Sequence, residues 1–142
     1  VADNALLLQA SAALMKLAAG GERWERFVWN VTDQPRLNAH PAHQGPERWA
    51  QTAVAQAWFR SERQTFIPVP GAAQAVFTIH VEVQPLARVL DSPARAQALH
   101  EAIATMSPAV LAYRGLGAVR EPLLQWLQAQ AGRLAATARP AA

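Results

Sequence analysis

Arg60, Glu62, Arg63 and Gln64 fall within one word, Trp58-Phe59-Arg60-Ser61-Glu62-Arg63-Gln64-Thr65, and Phe77-Thr78-Ile79-His80 follows after a Pro/Gly loop. The chemistry open to such a cluster is recognition of an anion, because guanidinium groups donate strong charge-assisted hydrogen bonds to carboxylates and similar groups. The residues around the cluster are those of a β-strand. Polar side chains in that setting mark either a solvated edge or the wall of a site.

Two strands, 58–67 and 74–84, must position these groups. The second alternates strictly, with Ala75, Phe77, Ile79, Val81 and Val83 on one side and Gln74, Thr78, His80, Glu82 and Gln84 on the other. Matching apolar face to apolar face in a hairpin pairs even residues with even ones. Arg60, Glu62 and Gln64 are then expected to share a face with Thr78, His80 and Glu82. One such register sets Arg60 opposite Glu82 and Glu62 opposite His80, both charge-complementary. It leaves Arg63 on the apolar side with Phe59, Phe77 and Ile79, where an unpaired guanidinium would cost several kcal/mol. Arg63 is therefore expected to meet an acid, a group of carbonyls or an anionic ligand. The competing reading is a solvated face whose ion pairs each contribute under about 1 kcal/mol.

The remaining elements read as follows. Residues 4–19 form a helix with an apolar stripe of Leu6, Leu7, Ala10, Leu14, Leu17 and Ala18, stopped by Gly20-Gly21. Residues 26–32 alternate as a strand, with Phe27, Trp29 and Val31 on one face. Residues 33–46 carry Pro35, Pro41, Gly45 and Pro46 and are loop, with a short strand at 36–39; residues 47–57 begin as a helix. Ser92-Pro93 and Ser107-Pro108 each open a helix as N-cap and first-turn proline, the first running to Met106 and the second to Arg114. A last amphipathic helix covers 119–135. This order gives an α+β class, an antiparallel sheet of three to five strands packed with N- and C-terminal helices. Residues 1–135 are expected to form a single domain and 136–142 a flexible tail.

Composition narrows the function. The chain has 142 residues, no cysteine and a formal charge of +3. Disulfides, thiolate ligation and cysteine nucleophiles are excluded. The basic residues, twelve arginines and Lys16, are dispersed singly, so no nucleic-acid footprint is formed. No apolar run of about twenty residues is present to span a membrane, and the expected compartment is the cytoplasm. His40 and His43 have i, i+3 spacing in a proline-rich loop, a setting that favours solvation over zinc. No Gly-rich phosphate loop and no Gly-x-Ser-x-Gly elbow occurs. The five tryptophans are too scattered for a stacking platform.

Arg60-Ser61-Glu62-Arg63-Gln64-Thr65, the Pro loop and Phe77-Thr78-Ile79 resemble the C-terminal half of the haem-dependent oxidative N-demethylases, relatives of the haem subunit of dimethylamine monooxygenase. Arg26-Phe27-Val28-Trp29-Asn30 and the stretch from Met106 to Leu127, with Ala112-Tyr113-Arg114-Gly115, also fit, so the resemblance spans most of residues 3–130. It implies a PAS-like domain that binds haem b and, with a flavin/iron–sulfur reductase, oxidatively removes methyl groups from small amines. It further implies that Arg60, Glu62, Arg63, Gln64 and Thr78 line or support the haem region, with His80 as the candidate axial ligand to the metal. The family's N-terminal half has no counterpart here, so the expected alternatives are a fragment, a separately encoded half, or a divergent relative. The functional alternatives are a non-catalytic haem or small-ligand module and a subunit that completes a sheet with a partner. That partner would be a second copy of the chain or an N-terminal half-domain.

Overall fold

A computed structural model of the chain describes residues 4–38, 40, 49 and 53–138. The elements run α1 (Asn4–Ala19), β1 (Trp24–Thr32), β2 (Trp58–Pro68), β3 (Ala75–Pro85), α2 (Leu86–Val89), α3 (Pro93–Ala104), α4 (Pro108–Arg114) and α5 (Arg120–Thr137). Single 3-10 turns occupy Val54–Gln56 and Gly117–Val119. The fold is α+β, with one antiparallel sheet in the order β1-β2-β3. The chain separates into two compact units, residues 1–30 with 60–82, and residues 31–59 with 83–142.

In the first unit α1 ends as its glycines require. A Cβ on Gly20 would stand 2.3 Å from the Lys16 carbonyl oxygen, and Gly21 adopts φ of +100°, a conformation that side chains disfavour. Leu14 and Leu17 of the expected apolar stripe are exposed on this helix, while the side chains of Leu6 and Leu7 lie outside the described residues.

The β2–β3 connection decides the register. The Ala72 N–H donates to the Val69 carbonyl at 3.1 Å across Pro70-Gly71. Gly71 has φ of +75°, so proline and glycine hold the two central positions of a type II turn. The Val69 N–H then donates to the Gln74 carbonyl at 2.9 Å. Closing the strands on Val69 and Gln74 pairs odd residues of β2 with even residues of β3. Phe66 accordingly meets Phe77, with ring centroids 4.5 Å apart. The even-to-even register expected from the sequence is therefore not formed. Arg60 is not opposite Glu82, nor Glu62 opposite His80, because the turn closes on a pair of mixed parity.

The second unit builds its core on two helices. Ala96, Leu99 and Ile103 of α3 and Leu123, Leu124 and Leu127 of α5 are buried, at the i, i+3, i+7 and i, i+1, i+4 spacings that make one helical face. Ser92 Oγ accepts the Arg95 N–H and Ser107 Oγ accepts the Val110 N–H, each at 3.3 Å. Both expected caps are in place. α4 closes on Gly115 at φ +67°, and the Gly115 carbonyl accepts Trp49 Nε1–H at 3.0 Å.

Three local expectations change. Residues 36–38 form no strand, and residue 39 lies outside the described residues. Of the helix expected over 47–57, residues 47, 48 and 50–52 lie outside the description and Val54–Gln56 form a 3-10 turn. α2 follows β3 directly, with the Leu86 N–H donating to the Ala57 carbonyl at 2.8 Å and the Leu86 side chain fully buried.

Candidate functional site

The register divides the polar cluster between two faces of the sheet. Trp24 and Arg26 of β1, Arg60, Glu62, Gln64 and Phe66 of β2, and Phe77 of β3 share the first face. Trp24 stacks on Phe66 with centroids 4.2 Å apart and planes 5° from parallel. The Arg26 guanidinium carbon stands 5.9 Å from the centroid of the same ring, within cation–π reach.

A chain of polar contacts continues along this face. Arg26 Nε donates to Gln64 Oε1 at 2.6 Å, Gln64 Nε2 donates to Glu62 Oε2 at 2.7 Å, and Arg60 donates to Glu62 Oε1. Gln64 is 7% exposed, so its amide needs both partners. Burial pushes the Glu62 carboxyl up. The hydrogen bonds from Arg60 and Gln64, with the charges of Arg60 and Arg26, outweigh that and hold it below the ordinary value. The face is a structural network whose groups are turned toward one another.

The second face is more open. Phe27 of β1, Ser61 and Arg63 of β2, and His80 and Glu82 of β3 line one hollow of about 240 Å³. Arg63 and His80 are exposed, and Phe27 is 72% exposed. His80 Nδ1 is 3.9 Å from Glu82 Oε1. Arg63, expected among apolar residues, thus stands beside an imidazole and a carboxylate instead. Thr78 lies on the same side of β3 as His80, two residues along, and is exposed. Thr65, two residues along β2 from Arg63, is 5% exposed, and its hydroxyl donates to Glu25 Oε1 at 3.2 Å. Arg23 donates to the same oxygen at 2.6 Å, and these two hydrogen bonds, Arg23 first, lower the Glu25 carboxyl.

Of the residues singled out in the sequence, the structure groups Arg60, Glu62 and Gln64 on one face and Arg63, Thr78 and His80 on the other. Phe27, Ser61 and Glu82 complete the hollow; none was named as a site residue, although alternation along β3 already set Glu82 on the side of His80. The signal for Ser61 lay in the Val69-Pro70-Gly71-Ala72 turn, because a loop of even length brings odd residues of β2 to even residues of β3. The other histidines stand apart. His40 is exposed in the loop, with its N–H donating to Asn38 Oδ1 at 3.0 Å. His43 lies outside the described residues. His100 is half-buried and lines a groove of about 410 Å³ with Gln97, Glu101, Leu127, Gln128 and Ala131. Among the described residues no three His, Asp or Glu side chains gather as a metal-binding group, and no helix is long and apolar enough to cross a membrane.

No curated protein matches the chain. Residues 6–124 match the family described as haem-dependent oxidative N-demethylase, alpha subunit-like. That span includes both faces of the sheet, α2 to α4 and the first turn of α5. The chain belongs to the haem-dependent oxidative N-demethylase, alpha subunit-like family.

Proposed function

We propose that the chain is a haem-binding component of an oxidative N-demethylase and that haem b is held on the Arg63–His80 face of the sheet. The observation that carries this reading is one hollow containing an imidazole, a guanidinium and an exposed aromatic ring. His80 suits an axial ligand because its Nδ1 is turned toward Glu82. A carboxylate beside one ring nitrogen orients a ligating histidine and leaves the other nitrogen for the metal. Arg63 on the same hollow would anchor a propionate through charge-assisted hydrogen bonds, and the Phe27 ring offers an apolar surface for the macrocycle. Thr78 would border the same surface. Arg60, Glu62 and Gln64 contribute differently from the implication of the resemblance: they brace β2 from behind and do not touch the cofactor.

Haem, when bound, supplies the oxygen chemistry by which a methyl group on a small amine is oxidised and lost as formaldehyde. The chain's residues hold it, orient His80 and keep a charged partner against the propionate. Electrons would come from a flavin/iron–sulfur reductase acting as partner.

A second reading is a non-catalytic haem or small-ligand module, and the size of the hollow favours its small-ligand form. Its volume of about 240 Å³ lies below the ~300–1,000 Å³ of ordinary ligand pockets. Titration with haemin tests cofactor binding, and the expected result is a saturable Soret band at one haem per chain. Formaldehyde release from dimethylamine, dependent on reductase and NADPH, separates the two readings. Binding without release supports a non-catalytic haem module, and no Soret band overturns haem binding in both readings and leaves the small-ligand module.

A further inference from the structure

We propose that β3 is a self-pairing edge, adding antiparallel to β3 of a second copy of this chain about a two-fold axis at Val81. β3 is the outer strand of the sheet, and among the described residues no strand lies beyond it. It runs for 11 residues, Ala75–Pro85, with no lysine or arginine and no proline before its last position. Lysines and prolines are prominent among the means by which an open edge is blocked. Phe77 is 45% and Ile79 49% exposed.

The occupant follows from the register. Closing β2 and β3 on Val69 and Gln74 turns the N–H and C=O groups of even β3 residues toward β2. Those of the odd residues, Phe77, Ile79 and Val81 among them, point to the open edge. A two-fold axis at Val81 makes Val81 face Val81 of the second copy as a hydrogen-bonded pair and Ile79 face Val83 of the second copy as the next. From Ile79 to Val83 every donor and acceptor presented by the edge is met by its own counterpart.

The side chains agree with the same axis. His80 comes opposite Glu82 of the second copy, and Glu82 opposite His80 of the second copy. Both are non-hydrogen-bonded pairs, in which side chains approach most closely. Apolar residues fall against apolar ones on the other face, so the alternation continues across the axis without a break. A strand complementary to itself in backbone direction, apolar pattern and charge identifies the partner as a second copy, joined by an isologous contact. The inference concerns the haem-free chain and does not depend on the cofactor reading.

The test is sedimentation equilibrium of the full 142-residue chain without haem, from about 1 to 100 µM, a range suited to a contact this small. A monomer–dimer equilibrium is expected. Val81→Pro removes an N–H that only the pairing uses, and proline is tolerated on an edge strand, so the variant is expected to weaken dimerisation at least tenfold. His80→Glu sets carboxylate against carboxylate twice and is expected to weaken the dimer, while Arg63 beside it steadies the monomer. The double variant His80→Glu/Glu82→Lys restores opposed charges and is expected to recover the dimer. If Val81→Pro fails to fold, the charge-exchange series decides, since it leaves every backbone donor in place. A wild-type monomer throughout the range, or a double variant no tighter than His80→Glu, overturns the proposal.

Discussion

Arg63 and His80 face one hollow from adjoining strands, with Glu82 3.9 Å from His80 Nδ1, although apolar matching assigns Arg63 and His80 to opposite sides of the sheet. The reversal comes from four residues. Pro70 and Gly71 form a type II turn, and the closing pair Val69–Gln74 shifts the register by one, moving a whole set of side chains to the other face. What the shift separates is as informative as what it joins. Arg60, Glu62 and Gln64 are left to satisfy one another, and Arg63 is released toward the open face.

Glu62→Gln tests the closed network. The Glu62 side chain is 18% and the Arg60 side chain 12% exposed, so removing the charge takes the Glu62 carboxylate away from a largely buried guanidinium. A loss of about 2 kcal/mol is expected, measured by urea unfolding at pH 7. The Glu62 carboxyl is held below its ordinary value of 4.5 in the folded chain. The stabilisation is therefore complete above about pH 4.5 and is lost as the pH falls through the lower, folded value. The wild type and the variant should accordingly converge in stability on going from pH 5 toward pH 3. A gap that is constant across that range would show that the ionised carboxylate contributes nothing.

Trp24→Phe probes the aromatic end of the same face. Trp24 stacks on Phe66, but its buried Nε1–H has no hydrogen-bond partner among the described residues. Phenylalanine keeps a ring against Phe66 and removes the unpaired donor, whose burial costs about 1–3 kcal/mol. Thermal unfolding is expected to show a change within about 1 kcal/mol of zero, whereas Trp24→Ala should lose about 2–4 kcal/mol. Equal losses for the two variants would mean that the ring contributes little.

Much of this fold was legible because its signals are local. Asn4–Ala19 begins and ends where its composition requires, and the Ser92-Pro93 and Ser107-Pro108 starts are both realised as capped helices. The strands were legible from alternation, since each side chain's face within its own strand depends on that strand alone. The relation between strands was not legible from the same pattern. β3 is an exposed edge whose apolar set lies alongside Phe66, Gln64 and Glu62, so matching apolar to apolar had no core to enforce it. α2 was missed because Leu86–Val89 is a single turn, set by the burial of Leu86 and its hydrogen bond to Ala57 and not by periodicity. The candidate site was half legible: Arg63, Thr78 and His80 were named and alternation set Glu82 beside His80, but the meeting of these residues with Phe27 and Ser61 depended on the register.

Ile103→Ala tests the core of the second unit. Ile103 and Leu123 are fully buried on α3 and α5, so truncation removes apolar contacts and leaves a cavity. A loss of about 2–5 kcal/mol is expected for either alanine variant. Chemical denaturation that showed less than about 1 kcal/mol would mean that the two helices do not form the core described above.

Gly115→Ala tests the end of α4. Gly115 has φ of +67°, where a Cβ costs roughly 1 kcal/mol. Its carbonyl also accepts Trp49 Nε1–H, so any local rearrangement should be visible as a shift in tryptophan fluorescence. A variant as stable as the wild type with unchanged emission would contradict the assigned conformation.

Haemin titration of the wild type, His80→Ala and Arg60→Ala decides whether haem is held on the Arg63–His80 face. The wild type is expected to form a Soret band at one haem per chain. His80→Ala should shift that band or abolish it. Arg60→Ala, if folded by circular dichroism, should retain the wild-type position because Arg60 lies on the other face. A Soret band unchanged in His80→Ala but lost in folded Arg60→Ala would overturn the Arg63–His80 site and assign the cofactor to the opposite face of the sheet.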